Sequence, residues 1–85
     1  MPTISQFYGL VVFMNYKEHP PAHFHVRYQG QEVSVEIQSG MVTGKMSRRA
    51  LQMIFAWMEL HQEELMDNWE RAQNREPLRP IPPLM

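Results

Sequence analysis

The sequence predicts an α+β domain, an antiparallel meander of three or four strands followed by one long or bent C-terminal helix and an extended tail. Three observations carry this. Apolar residues recur at every second position through the first half of the chain, and after Ser47 they recur at helical spacing instead. Four of the ten residues from Glu76 onward are proline, which excludes helix there. Residues 1–75 therefore read as a single domain and residues 76–85 as a tail.

Bulk properties narrow the function classes. A chain of 85 residues supports one core and buries only about 60–65% of its unfolded surface, so its stability margin is thin. A composition 44% hydrophobic and 20% charged belongs to a folded domain rather than a disordered one. The absence of cysteine excludes disulfides and thiolate zinc sites. The amino end has no basic leader, and its apolar run LVVFM is too short to span a membrane, so the expectation is a cytoplasmic protein with no membrane contact. A net charge of −1 argues against a purely electrostatic nucleic-acid binder. Its distribution is uneven: residues 1–49 carry five basic and three acidic side chains, residues 50–85 three basic and six acidic. That polarity suits one face meeting an anion and another meeting a basic partner.

From Phe7 to Tyr16 both alternating sets are apolar: Tyr8, Leu10, Val12, Met14 and Tyr16 in one, Phe7, Val11 and Phe13 in the other. This reads as one strand covered on both faces, by the helix on one side and by the tail, a second copy or a partner on the other. Lys17 to Ala22 reads as a loop, stiffened by Pro20 and Pro21 and holding His19 extended. The segment HFHVRY then alternates, with Phe24, Val26 and Tyr28 on one face and His23, His25 and Arg27 on the other. A two-residue turn at Gln29-Gly30 fixes the register of the next strand. Phe24 then faces Val35 and Val26 faces Val33, while His23 faces Glu36, His25 faces Ser34 and Arg27 faces Glu32. Apolar meets apolar and base meets acid, at roughly 0.2–1 kcal/mol per pair.

Ser39-Gly40 reads as a turn and Met41 to Thr43 as a short edge strand. Ser47 is the expected N-cap of a helix running to about Asn74, with Leu51, Ile54, Phe55, Met58, Leu65, Trp69 and Ala72 near helical spacing. His61 and Gln62 dilute that stripe, so a bend there is the alternative to a continuous helix. Met53, Trp57 and Leu60 widen the apolar face beyond what one sheet needs, which favours a homodimer or other partner. Glu59, Glu63, Asp67 and Glu70 form an acidic stripe whose plainest reading is a solvated helix face. The eight methionines read as adaptable core and interface filler.

The histidine face carries three competing readings. In the first, His23 and His25 share base and acid duties on a phosphodiester, with Glu36 orienting one ring and Arg27 holding a phosphate oxygen. In the second, His19, His23 and His25 ligate a divalent ion such as zinc, with Glu36 as another candidate; no other cofactor is expected. In the third, the rings merely satisfy a sheet face beside Glu36 and Ser34. Arg48 and Arg49 stand in the first helical turn, where acids are usual, so an anion bound there would explain them.

Three stretches, MPTISQFYGLVV, HPPAHFHVRY and RRALQMIFAWMELHQEELMDNWE, together resemble the small bacterial proteins of domain-of-unknown-function family 4160. His19, Pro21, His23, Phe24, His25 and Val26 fit that family's H-x-P-P-H-F-H-V pattern, whereas Ala22 and Ser47 stand where proline is usual. The resemblance implies a gene neighbour encoding a small cognate protein and a toxin role in a toxin–antitoxin pair, and many such toxins cleave RNA. The leading expectation is therefore a toxin-like component engaging RNA through His23, His25, Arg27 and Glu36, with Arg48 and Arg49 as an anion clamp. The alternatives are a non-catalytic protein-interaction module and a metal-dependent hydrolase.

Overall fold

The protein, described over residues 2–85 by a computed structural model, forms an antiparallel sheet whose strands lie side by side in chain order. They are β1 (Thr3–Phe7), β2 (Leu10–Phe13), β3 (His23–Tyr28), β4 (Gln31–Glu36) and β5 (Val42–Gly44), followed by helices α1 (Arg48–Leu60) and α2 (Gln62–Gln73). The α+β class and the meander agree with the sequence. The structure has five strands in place of three or four, and two helices in place of one.

The extra strand arises at Tyr8-Gly9, where the expected single strand from Phe7 to Tyr16 reverses. Tyr8 (φ 50°) and Gly9 (φ 83°) both take positive φ, as a tight two-residue hairpin turn requires. Gly9 is needed there a second time: a Cβ on it would stand 3.3 Å from the Tyr28 ring. Of that apolar run, Phe7 ends β1, Tyr8 lies in the turn, Leu10 to Phe13 form β2, and Met14 and Tyr16 lie beyond it. The same geometry recurs at Gln29 (φ 48°) and Gly30 (φ 78°), and it sets the β3–β4 register expected from the sequence, from His23 opposite Glu36 to Tyr28 opposite Gln31. The edge strand β5 runs one residue later than expected and pairs Val42 with Val35.

The Ser47 hydroxyl caps α1 by accepting from the Ala50 N–H at 3.2 Å. The helical run breaks at His61 (φ −127°, ψ 30°), whose N–H turns back to the Met58 carbonyl at 3.1 Å. Bending there lets both helices follow one twisted sheet face. Leu10, Val12, Phe24, Val26, Val33 and Val35 from the sheet meet Ile54, Trp57, Leu65 and Trp69 from the helices in one buried cluster. Trp57 is fully buried rather than an exposed widening of the apolar face, whereas Leu60 is 70% exposed.

The proline-rich segment 76–85 is part of this core. Ile81 is buried, and its N–H donates to the Ile4 carbonyl at 2.8 Å, covering the free edge of β1. The Trp57 indole N–H donates to the Pro82 carbonyl at 2.9 Å. Asn68, with no exposed surface, accepts from the Arg79 N–H and donates to the Arg79 carbonyl, each at 2.8 Å.

Candidate functional site

The β2–β3 loop returns past the start of β3 and brings Glu18 against the two imidazoles of that strand. His25 Nε2 donates to Glu18 Oε1 at 2.7 Å, and His23 Nε2 lies 3.3 Å from Glu18 Oε2. The rings of His23 and His25 meet edge to face at 5.2 Å. Pairing of β2 with β3 sets Phe13 beside His25, and the two rings stack at 5.1 Å with 15° between their planes. The Trp69 ring of α2 closes on His23 at 5.1 Å. Two further contacts hold the loop to the end of α2: the Lys17 N–H donates to the Ala72 carbonyl and the Gln73 amide donates to the Glu18 carbonyl at 2.9 Å.

A second layer of partners orients the rings. A backbone carbonyl can only accept, so the 2.8 Å contact of His23 Nδ1 with Pro21 O places a proton on Nδ1 and turns Nε2 toward Glu18. Behind His25, Nδ1 lies 3.9 Å from Glu32 Oε2. Glu32 is in turn paired with Arg27 at 3.1 Å, and the Arg27 guanidinium sits over the Phe13 ring at 5.1 Å. Burial pushes the Glu18 carboxyl up, but hydrogen bonds and charge from His25 and His23 together outweigh it and hold its pKa below the ordinary carboxylate value. The side chains of His23, His25 and Glu18 retain 17%, 14% and 25% exposure, enough for a small ligand to reach them.

The structure brings together only part of the set expected from the sequence. His23 and His25 share one face as expected. His19 is exposed and stands outside the cluster. Glu36 keeps its register opposite His23, but its carboxylate accepts from the Ser39 hydroxyl at 2.7 Å, within the turn that begins at its own residue. Arg27 makes the expected pair with Glu32. Arg48 opens α1, and Arg49 lines a notch with Tyr8, Tyr28 and Met53 rather than the cluster; Tyr28 lies three residues along β3 from His25 and five from His23, roughly 10 and 17 Å by strand rise.

Glu18 was missed in the sequence because cross-strand pairing pointed to Glu36. One signal could have found it: Glu18 is the only acidic residue before Glu32, and it sits in the loop that must return to His23. Among the described residues, Glu18, His23 and His25 form a group whose ligand atoms all lie within 4.8 Å of one another. A carboxylate between two imidazoles can relay a proton or hold a cation. With Glu18 and Glu32 both flanking His25, the cluster favours a cation over a bare phosphate.

A model of the family described as a domain of unknown function, DUF4160, matches residues 9–70. The chain belongs to that family. All three cluster residues fall inside the DUF4160 match, as do both positions of the Gln29-Gly30 turn, whereas β1 and the strap 76–85 fall outside it. No curated protein and no solved structure matches the chain. Among the described residues, no helix is long and apolar enough to cross a membrane.

Proposed function

We propose that this DUF4160 protein is a hydrolytic effector, the toxin-like member of a two-protein pair, acting on a phosphodiester such as RNA at Glu18, His23 and His25. The observation that carries this reading is the carboxylate set between two imidazoles, with Phe13 against one ring and Trp69 of α2 against the other. These are groups that activate water and move protons near neutral pH, and the rings are held by Phe13, Trp69 and Pro21 rather than left to swing. The notch of Arg49, Tyr8 and Tyr28 is too distant to clamp the reacting phosphate, so any anion it holds belongs to another part of the target. The acidic stripe and the exposed Leu60 suit the cognate partner that the family resemblance implies.

The test is controlled expression in bacteria, with growth and RNA integrity followed together. Wild-type protein is expected to arrest growth and degrade RNA. His25→Ala and Glu18→Gln are each expected to slow RNA decay by about 10²–10⁴-fold, with Glu63→Gln on the acidic stripe unchanged. RNA decay that survives both cluster variants would overturn the reading. A second reading, a protein-interaction module, rests on the groove of Ile37, Gly40, Phe55 and Met58 flanked by Gln62. It takes over if folded protein leaves RNA intact while variants in that groove abolish partner binding.

A further inference from the structure

We infer that Glu18, His23 and His25 are the protein ligands of an open divalent-metal centre suited to zinc or a similar transition ion. As the centre of the proposed hydrolysis this rests on that reading; as an ion site it is read out with no substrate present. Tetrahedral zinc with bonds of about 2.0–2.2 Å needs ligand atoms roughly 3.3–3.5 Å apart. His25 Nε2 stands 2.7 Å from Glu18 Oε1 and His23 Nε2 3.3 Å from Glu18 Oε2, and one ligand atom from each residue falls within 4.8 Å of the others, so side-chain adjustment of about an ångström brings the three to ligand spacing.

The surroundings match what a metal ligand needs behind it. An imidazole that binds a metal through one nitrogen commonly donates the other N–H to a carbonyl or carboxylate, which fixes the tautomer and raises the basicity of the ligating atom. His23 does so to the Pro21 carbonyl at 2.8 Å. His25 has Glu32 Oε2 at 3.9 Å from Nδ1, ready to take that proton's hydrogen bond once an ion replaces the one on Nε2. The donor set is two nitrogens and one oxygen, which suits zinc and its first-row neighbours better than magnesium or calcium, whose sites are built of oxygen. Three protein ligands leave a fourth position for water, the arrangement of a catalytic rather than a structural centre. The same groups also bond one another directly, His25 and His23 each meeting Glu18.

The test is titration of tag-free, metal-free protein with Zn²⁺ by calorimetry and with Co²⁺ by visible absorption. One ion per chain is expected, with the absorption of tetrahedral Co²⁺. Glu18→Gln and His25→Ala are expected to abolish that signal, and Glu32→Gln to weaken binding by about 10–100-fold. His19→Ala and Glu36→Gln are expected to bind as wild type. Circular dichroism shows whether each variant is folded, and in the wild-type chain the ring resonances of His23 and His25 must shift together on zinc addition, independently of any variant. No binding by the wild type, unmoved ring resonances, or full binding by folded Glu18→Gln overturns the inference. Ion binding with intact RNA overturns the hydrolytic reading alone, and chelator-resistant RNA decay with no ion bound overturns the ion site alone.

Discussion

Glu18 is a carboxylate that the fold prefers charged. Because its folded pKa lies below the unfolded value, it contributes stability above that unfolded value, near 4.5, and the contribution disappears as pH falls through the lower folded value. In chelator-treated protein the thermal midpoint of wild type is therefore expected to exceed that of Glu18→Gln at pH 7, with the gap closing under acid. A gap that persists unchanged to pH 3 would show that the carboxylate is not the source. Residue identity singled out the imidazoles, and register set Glu36 opposite His23, as the sheet has it, whereas the carboxylate that meets both rings is Glu18. Glu36 is closer by register, and Glu18 is closer in space because a loop folds back, which strand pairing does not encode.

At the scale of elements, hairpin turns decide the sheet. Gln29 takes a left-handed conformation that asparagine adopts with less strain, so Gln29→Asn is expected to stabilise the chain by about 0.5–1 kcal/mol in urea denaturation. The β3–β4 hairpin was legible because alternation, cross-strand charge pairing and a Gly-containing turn all gave one register. The Tyr8-Gly9 hairpin was not, though it has the same X-Gly form, because apolar residues on both sides of the turn concealed the reversal. The break at His61 was foreshadowed by polar residues diluting the helical stripe, and the structure places it one residue after Leu60.

Across the whole molecule the strap 76–85 does what a chain this short needs: it adds buried surface without another helix. Its removal exposes Ile81's site, at about 1.5–3 kcal/mol for the side chain, and leaves the buried Asn68 amide unpaired, at about 1–3 kcal/mol. Truncation after Arg75 is thus expected to cost about 2.5–6 kcal/mol, measured as a fall in the urea midpoint; a loss under about 1 kcal/mol would mean the strap is ornamental to the core. Proline content made this segment legible as extended chain. Where it docks was not legible, since its partners Ile4, Trp57 and Asn68 are separated from it by 11 to 77 positions.

What the sequence determined by itself was local: the α+β class, the faces of β3 and β4, the cap at Ser47 and the presence of two imidazoles on one side of a strand. Those follow from side-chain period and backbone preference, which act over a few residues. Only the tertiary structure decided that Glu18 closes the cluster, that Arg49 stands at the far end of the strand and that the tail seals the core. Such contacts depend on where a loop lands in space, and packing of the whole chain sets that.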